Sequence, residues 1–156
     1  MIIVTTRIVK SDLLRASEHI IAHQVNCQAV MGSGVAKQIK HHYPKVYTEY
    51  LQFCHQNKEN LLGLCQFVAL DQGSTKYVAN LFGQQDFGRD GKKYTNDDAL
   101  RNALNELCKF AKTNKYSIAF PYGIGCNRGG GDWSVVSKMI NDIFKDEEVT
   151  LYKFTP

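Results

Sequence analysis

Apolar and polar positions along the chain alternate between two periods, one suited to strands and one to helices. Ile2 to Lys10 is rich in Ile, Val and Thr and predicts an opening strand at or near a sheet edge. Ser11 and Asp12 supply cap chemistry for a short helical turn through Leu13 and Leu14. From Ile20 to Lys40 the pattern gives an apolar strand ending at Asn26, a loop containing Gly32 and Gly34, and a helix over Val35 to His42. Pro44 then stands at the first position of a second helix, PKVYTEYLQFCHQ. Tyr43 just before it, with Val46, Tyr47, Tyr50, Leu51 and Cys54 within it, recur at three- and four-residue intervals and predict one buried stripe.

The second half repeats the alternation. Cys65 to Leu70 and Lys76 to Phe82 are strand candidates separated by DQGS. The polar, glycine-rich segment Gly83 to Tyr94 is long for a structureless connection and suits a lid or binding loop, a merely mobile loop being the plainer alternative. Asn96 or Asp97 caps a helix whose apolar face is Leu100, Ala103, Leu104, Leu107, Phe110 and Ala111. Ser117 to Pro121 is a short buried strand running into YGIGCNRGGGDW, followed by a helix from about Asp132 to Lys145 and a last strand, Val149 to Phe154. Strands alternating with helices imply an α/β fold with helices on both faces of one sheet. No repeat, low-complexity tract or linker divides residues 1–156, so a single domain is expected.

Composition narrows this further. At 156 residues and 44% hydrophobic content the chain can bury a core without covalent staples. Cys27, Cys54, Cys65, Cys108 and Cys126 are odd in number and form no CxxC pair, which argues against a disulfide framework or a zinc ribbon and fits free thiols in a reducing compartment. His41 and His42 lack a third ligand at useful spacing and are expected at the surface. No stretch approaches the roughly 18 apolar residues of a membrane span. A soluble, cytoplasmic protein is expected, the nucleus remaining open. A net charge of +4 attracts phosphate-bearing ligands, but the lysines are scattered, so nucleic-acid binding is allowed rather than indicated.

The glycine loops carry the chemistry. After Gly32 and Gly34 the third position of a dinucleotide fingerprint is Lys37, and the GxxxxGK[ST] phosphate loop is absent. What remains is a polar Asn26 at a carboxyl strand end beside a bare backbone cradle, suited to a ribose hydroxyl next to a pyrophosphate; a tight strand-to-helix turn without ligand fits this loop alone equally well. PYGIGCNRGGG forms a second such loop. Both belong on the carboxyl side of the sheet, where open α/β folds bind ligands, and facing each other they would wrap a diphosphate in main-chain donors.

VNCQAVMGSGVAKQI, PYGIGCNRGGGDW and the closing VTLYKFTP resemble the macrodomain family of ADP-ribose-binding modules, and the likeness runs along nearly the whole chain. HHYPKVYTEY, NLLGLCQFV and YVANLFGQQDFG resemble the branch holding ADP-ribose 1''-phosphate phosphatases and single-domain enzymes that remove ADP-ribose from proteins or nucleic acid. The resemblance implies a three-layer α/β/α fold with a mixed central sheet. It further implies that Asp12 binds the adenine amino group, Phe154 flanks the ring, and Asn26 holds the distal ribose. Gly32, Ser33, Gly34 and Val35 would contact one phosphate, and Gly123, Ile124, Gly125, Cys126 and Asn127 would close over the other. No cofactor and no metal are implied.

Departures matter. Where one branch carries a lysine nucleophile this chain has Gly83 and Gln84, and the partner acid falls near Gly129, so a covalent lysine route is not supported. His23 and Asp132 remain as catalytic candidates, the first to orient or protonate a leaving group, the second to position a water. A satisfied core histidine and a helix cap are their plainer roles. The expected function is binding of ADP-ribose or ADP-ribose 1''-phosphate with hydrolysis at the distal ribose. The alternative is a non-catalytic reader of ADP-ribosylated protein or nucleic acid.

Overall fold

A computed structural model describes residues 6–71 and 76–154. Among the described residues six strands form one sheet: β1 (Arg7–Lys10), β2 (Ile20–Asn26), β3 (Cys65–Ala69), β4 (Tyr77–Gln84), β5 (Ile118–Pro121) and β6 (Val149–Lys153). Their order is β1-β6-β5-β2-β4-β3, with β3 antiparallel to β4 and every other pair parallel. The first strand lies at an edge, as its composition suggests; the expected residues 2–5 of it, and 72–74 of the DQGS turn, fall outside the described residues.

Alternation along β2 sends successive side chains to opposite faces. Ile20 and Ala22 pack with Leu100, Leu104 and Leu107 of α3 (Asp97–Asn114) and Val136 and Ile140 of α4 (Trp133–Ile143). Ile21 and Val25 pack with Ile39 of α1 (Gly34–His42), Val46 and Tyr50 of α2 (Pro44–Gln56), and Leu13 of a 3-10 turn, Leu13–Arg15. Two cores sandwich the sheet, which makes the three-layer α/β/α arrangement. Every strand candidate and helix is present within a residue or two of its expected bounds, apart from the opening strand. Asp132 stands just before α4 as its cap. Leu51 departs from its stripe, 37% exposed on the outer side of α2. Among the described residues no helix is long and apolar enough to cross a membrane.

This topology positions the loops. β2 and β5 are parallel neighbours, and the two glycine-rich segments leave their carboxyl ends side by side. After β2 the chain runs to α1 on one face of the sheet and after β5 to α4 on the other, the kind of crevice open α/β sheets use for ligands.

Candidate functional site

Over those strand ends opens a cleft of about 700 Å³, within the range of cofactor-sized sites. Asp12, His23, Asn26, Gly32, Ser33, Gly34, Val35, Gly123, Ile124, Gly125, Asn127 and Phe154 all line it, so residues scattered along the whole sequence meet in one place. Cys126 and Asp132 do not line it.

The first loop is held open from below. Asn26, 8% exposed, accepts through Oδ1 from the N–H of Gln28 (2.9 Å), the N–H of Val30 (3.4 Å) and the Tyr50 hydroxyl (3.0 Å), while its Nδ2 donates to the Val30 carbonyl at 2.8 Å. Three donors converging on one oxygen fix the amide's orientation, and one Nδ2 hydrogen has no acceptor among the described residues. Ser33 caps α1 only through its backbone; its hydroxyl makes no capping bond. The N–H groups of Gly32, Ser33, Gly34 and Val35 therefore have no acceptor among the described residues. With the positive end of the helix dipole they form an anion cradle. Gly34 enters it at φ +59°, a left-handed conformation that only glycine adopts at little cost.

In the second loop the donors alternate. Ile124 N–H is spent on Pro121 and Cys126 N–H on Gly123, leaving those of Gly123, Gly125 and Asn127 without an acceptor among the described residues. The Gly125 carbonyl faces inward, accepting from Gly131 N–H at 2.9 Å and from the Thr95 hydroxyl at 2.6 Å. Cys126 takes no part in the lining; its thiol donates to the Ile124 carbonyl at 3.4 Å, and burial pushes its pKa up to about 11. The glycine triplet has a separate task. Gly129 offers its carbonyl to the N–H groups of Tyr94 and Thr95, and a methyl group added to it would stand 2.4 Å from the Thr95 hydroxyl.

Beneath both loops lies a polar relay that the sequence does not announce. Gln24 Nε2 donates to Gln84 Oε1 (2.7 Å) and to the Thr95 hydroxyl (2.9 Å), which passes its own proton to Gly125. These residues lie far apart in sequence, and the one hint in the chain is polar residues interrupting otherwise apolar strands.

At one end of the cleft Asp12 caps the 3-10 turn through Leu14 N–H at 3.0 Å, Phe154 is 66% exposed, and Lys153 Nζ sits 4.9 Å from the Tyr122 ring centre. At the other, past β4, are Gln84, Phe87, Gly88, Arg89 and Arg128.

His23, 1% exposed, belongs to the wall. Its Nε2 donates to Asn80 Oδ1 (2.5 Å), Asn80 Nδ2 donates to Gln66 Oε1 (2.9 Å), and Gln66 Nε2 donates to the Glu49 carbonyl (3.0 Å). Because a backbone carbonyl at the far end can only accept, every group in the ladder is oriented, and His23 must carry its proton on Nε2. Its Nδ1 is a buried acceptor without a partner among the described residues. Desolvation lowers its pKa to about 4, so the ring is neutral near pH 7. Asp132 is exposed at the start of α4, accepting from Ser134 N–H (2.9 Å) and the Ser134 hydroxyl (2.7 Å), which hold its carboxyl below the usual range. Among the described residues no three His, Cys, Asp or Glu side chains are grouped to hold a metal.

A family model described as Macro domain matches residues 22–140. A Mycobacterium tuberculosis protein named DNA ADP-ribosyl glycohydrolase is 28% identical over 147 residues, 90% of this chain. The match spans only 40% of that relative's length. A Saccharomyces cerevisiae protein named ADP-ribose 1''-phosphate phosphatase is 26% identical over 93% of this chain and 96% of its own length. Among solved structures, the macrodomain of Mycobacterium tuberculosis DarG superposes with a TM-score of 0.82 at 26% identity, covering 96% of this chain and 97% of that one.

Proposed function

The chain belongs to the Macro domain family, and from that premise we propose that its cleft binds ADP-ribose or a derivative and that a bond at the distal ribose is hydrolysed there. The observation that carries this reading is the pair of facing cradles: unpaired N–H groups of Gly32 to Val35 on one side and of Gly123, Gly125 and Asn127 on the other, lining one cleft. Such donors neutralise a diphosphate without charged side chains. Asp12 and Phe154 then fall at the adenine end, and the distal ribose comes to Asn26 and its remaining Nδ2 hydrogen.

Two hydrolytic outcomes fit that pose. In one, a water oxygen bonds to the phosphorus of a 1''-monoester, the P–O bond to the ribose breaks, and ADP-ribose and inorganic phosphate leave. In the other, water attacks C1'' and the bond to a modified macromolecule breaks. Main-chain donors would stabilise the charge that develops beside them, and neutral His23, a residue of the cleft wall, would act only on a water admitted to its buried Nδ1. Asp132, exposed and outside the cleft, is better accounted for as the cap of α4.

One observation favours the reader alternative. His23 stands three residues before Asn26, about 10 Å by strand rise, and is pinned to Asn80. Calorimetric titration with ADP-ribose tests the shared premise; phosphate release from ADP-ribose 1''-phosphate and ADP-ribose release from modified macromolecules separate the two. Turnover by the wild type that disappears in His23→Ala supports hydrolysis, and tight binding without turnover identifies a reader.

A further inference from the structure

At the adenine end the cleft carries a cation that the main-chain cradles do not need. Lys153 is exposed and lines the cleft together with Tyr152 and Phe154. Among the described residues Asp12 is the only acid in that lining, and Lys153 belongs to no ion pair. Its Nζ stands 4.9 Å from the centre of the Tyr122 ring, a cation–π contact, and that ring is backed by Trp133 with centroids 4.9 Å apart. The ammonium group is thus held at one place on the rim.

Register brings a second cation beside it. β1 and β6 run parallel with Lys10 opposite Lys153, the last residue of each strand, so both side chains leave the same face at the carboxyl edge of the sheet. Lys10 is exposed too, and among the described residues it belongs to no ion pair. Two like charges at facing positions on neighbouring strands repel, and an anion shared between them removes that cost. The diphosphate is not that anion, since the N–H groups of both loops meet it in the proposed pose. A macromolecule attached at C1'' does not supply it either, because it departs from the opposite end of the cleft. Position identifies what remains. Lys153 is bracketed by Phe154 at the adenine flank and by Tyr122, the residue before Gly123, where the second cradle starts. The sugar that joins adenine to the diphosphate has to cross that interval.

We infer that Lys153, with Lys10 beside it, is a specificity-determining pair for a phosphate monoester on the adenosine ribose, so that the cleft prefers ADP-ribose phosphorylated at its 2'- or 3'-hydroxyl to ADP-ribose itself. The inference rests on the cleft binding ADP-ribose as proposed above. It adds a charge requirement at the end of the ligand remote from the hydrolysed bond.

Calorimetry with ADP-ribose, its 2'- and 3'-phosphates and ADP-ribose 1''-phosphate tests this, the last ligand carrying the same added group at the other end. At low salt at least one adenosine-ribose phosphate should bind about fivefold or more tightly than ADP-ribose, and the isomer that gains more tells which hydroxyl faces the lysines. The advantage should shrink as salt rises. Lys153→Met should bring the ratio of the two affinities near one, Lys10→Met should lower it in part, and Lys153→Arg should keep it. Equal binding of plain ADP-ribose and both adenosine-ribose phosphates by the wild type overturns the inference. So does a preference that survives in Lys153→Met. A Lys153→Met variant that weakens the 1''-phosphate relative to ADP-ribose by the same factor overturns it as well, for the lysine would then attract anions at either end alike. A wild type that binds none of the four ligands refutes the reading of the cleft instead, and is told apart by the plain ADP-ribose arm.

Discussion

Asn26 and Tyr50 divide one task. The asparagine was legible from its place at a strand end, but the tyrosine's spacing announced only burial, and burial says nothing of where a hydroxyl goes. That hydroxyl, donating to the Asn26 carbonyl at 2.7 Å, ties the first loop to α2. Asn26→Ala strands the N–H groups of Gln28 and Val30 while the hydroxyl keeps its main-chain acceptor, and should cost at least about 2 kcal/mol in denaturant unfolding as well as ADP-ribose affinity by calorimetry. Tyr50→Phe should cost about 1 kcal/mol and weaken binding less. His23 makes a prediction about acid. Its pKa falls from 6.5 to about 4 on folding, so between those values the unfolded chain binds the extra proton. Stability is therefore undiminished above about pH 6.5 and declines as pH falls toward 4, by about 3 kcal/mol in all. Thermal unfolding followed across that window should show the decline, and His23→Leu should flatten it while lowering stability at neutral pH by stranding Asn80.

Among elements, the second glycine loop depends on a partner distant in sequence. The connection between β4 and α3 is fastened to it through Thr95 and the Gly129 carbonyl, which keeps the Gly125 carbonyl turned inward and its N–H toward the cleft. Thr95→Val removes that donor with little change of shape; ADP-ribose affinity should fall about tenfold, with Thr95→Ser restoring most of it. Gly129→Ala drives a methyl group against Thr95 and the Gly125 carbonyl and should weaken binding further, again by calorimetry. Sequence periodicity located nearly every element because each buries one face against the sheet. It could not show that the triplet Gly129 to Gly131 packs on a neighbouring segment, since a run of glycines reads equally as mobility. Nor could it show which N–H groups in PYGIGCNRGGG remain free, because alternate ones are consumed by turns whose geometry is set by contacts across the fold.

At the scale of the whole molecule, two cores share one sheet and the binding rim crosses both layers, so an occupied cleft should steady the entire fold. At a hundredfold excess over its dissociation constant, ADP-ribose should add about 2.7 kcal/mol, a rise of roughly 5–10 °C in melting temperature for a chain of this size; an unchanged melting curve would contradict the binding site described. The ladder from His23 through Asn80 and Gln66 to Glu49 has a consequence of another kind. It crosses three adjacent strands at aligned positions, His23 opposite Asn80 and Asn80 opposite Gln66. Were β3 or β4 to slide by one residue during assembly, these amides and the imidazole would be sealed among aliphatic groups with nothing to bond to. The same three side chains that look like an untidy polar streak in a hydrophobic layer thus act as a key that rejects misaligned sheets.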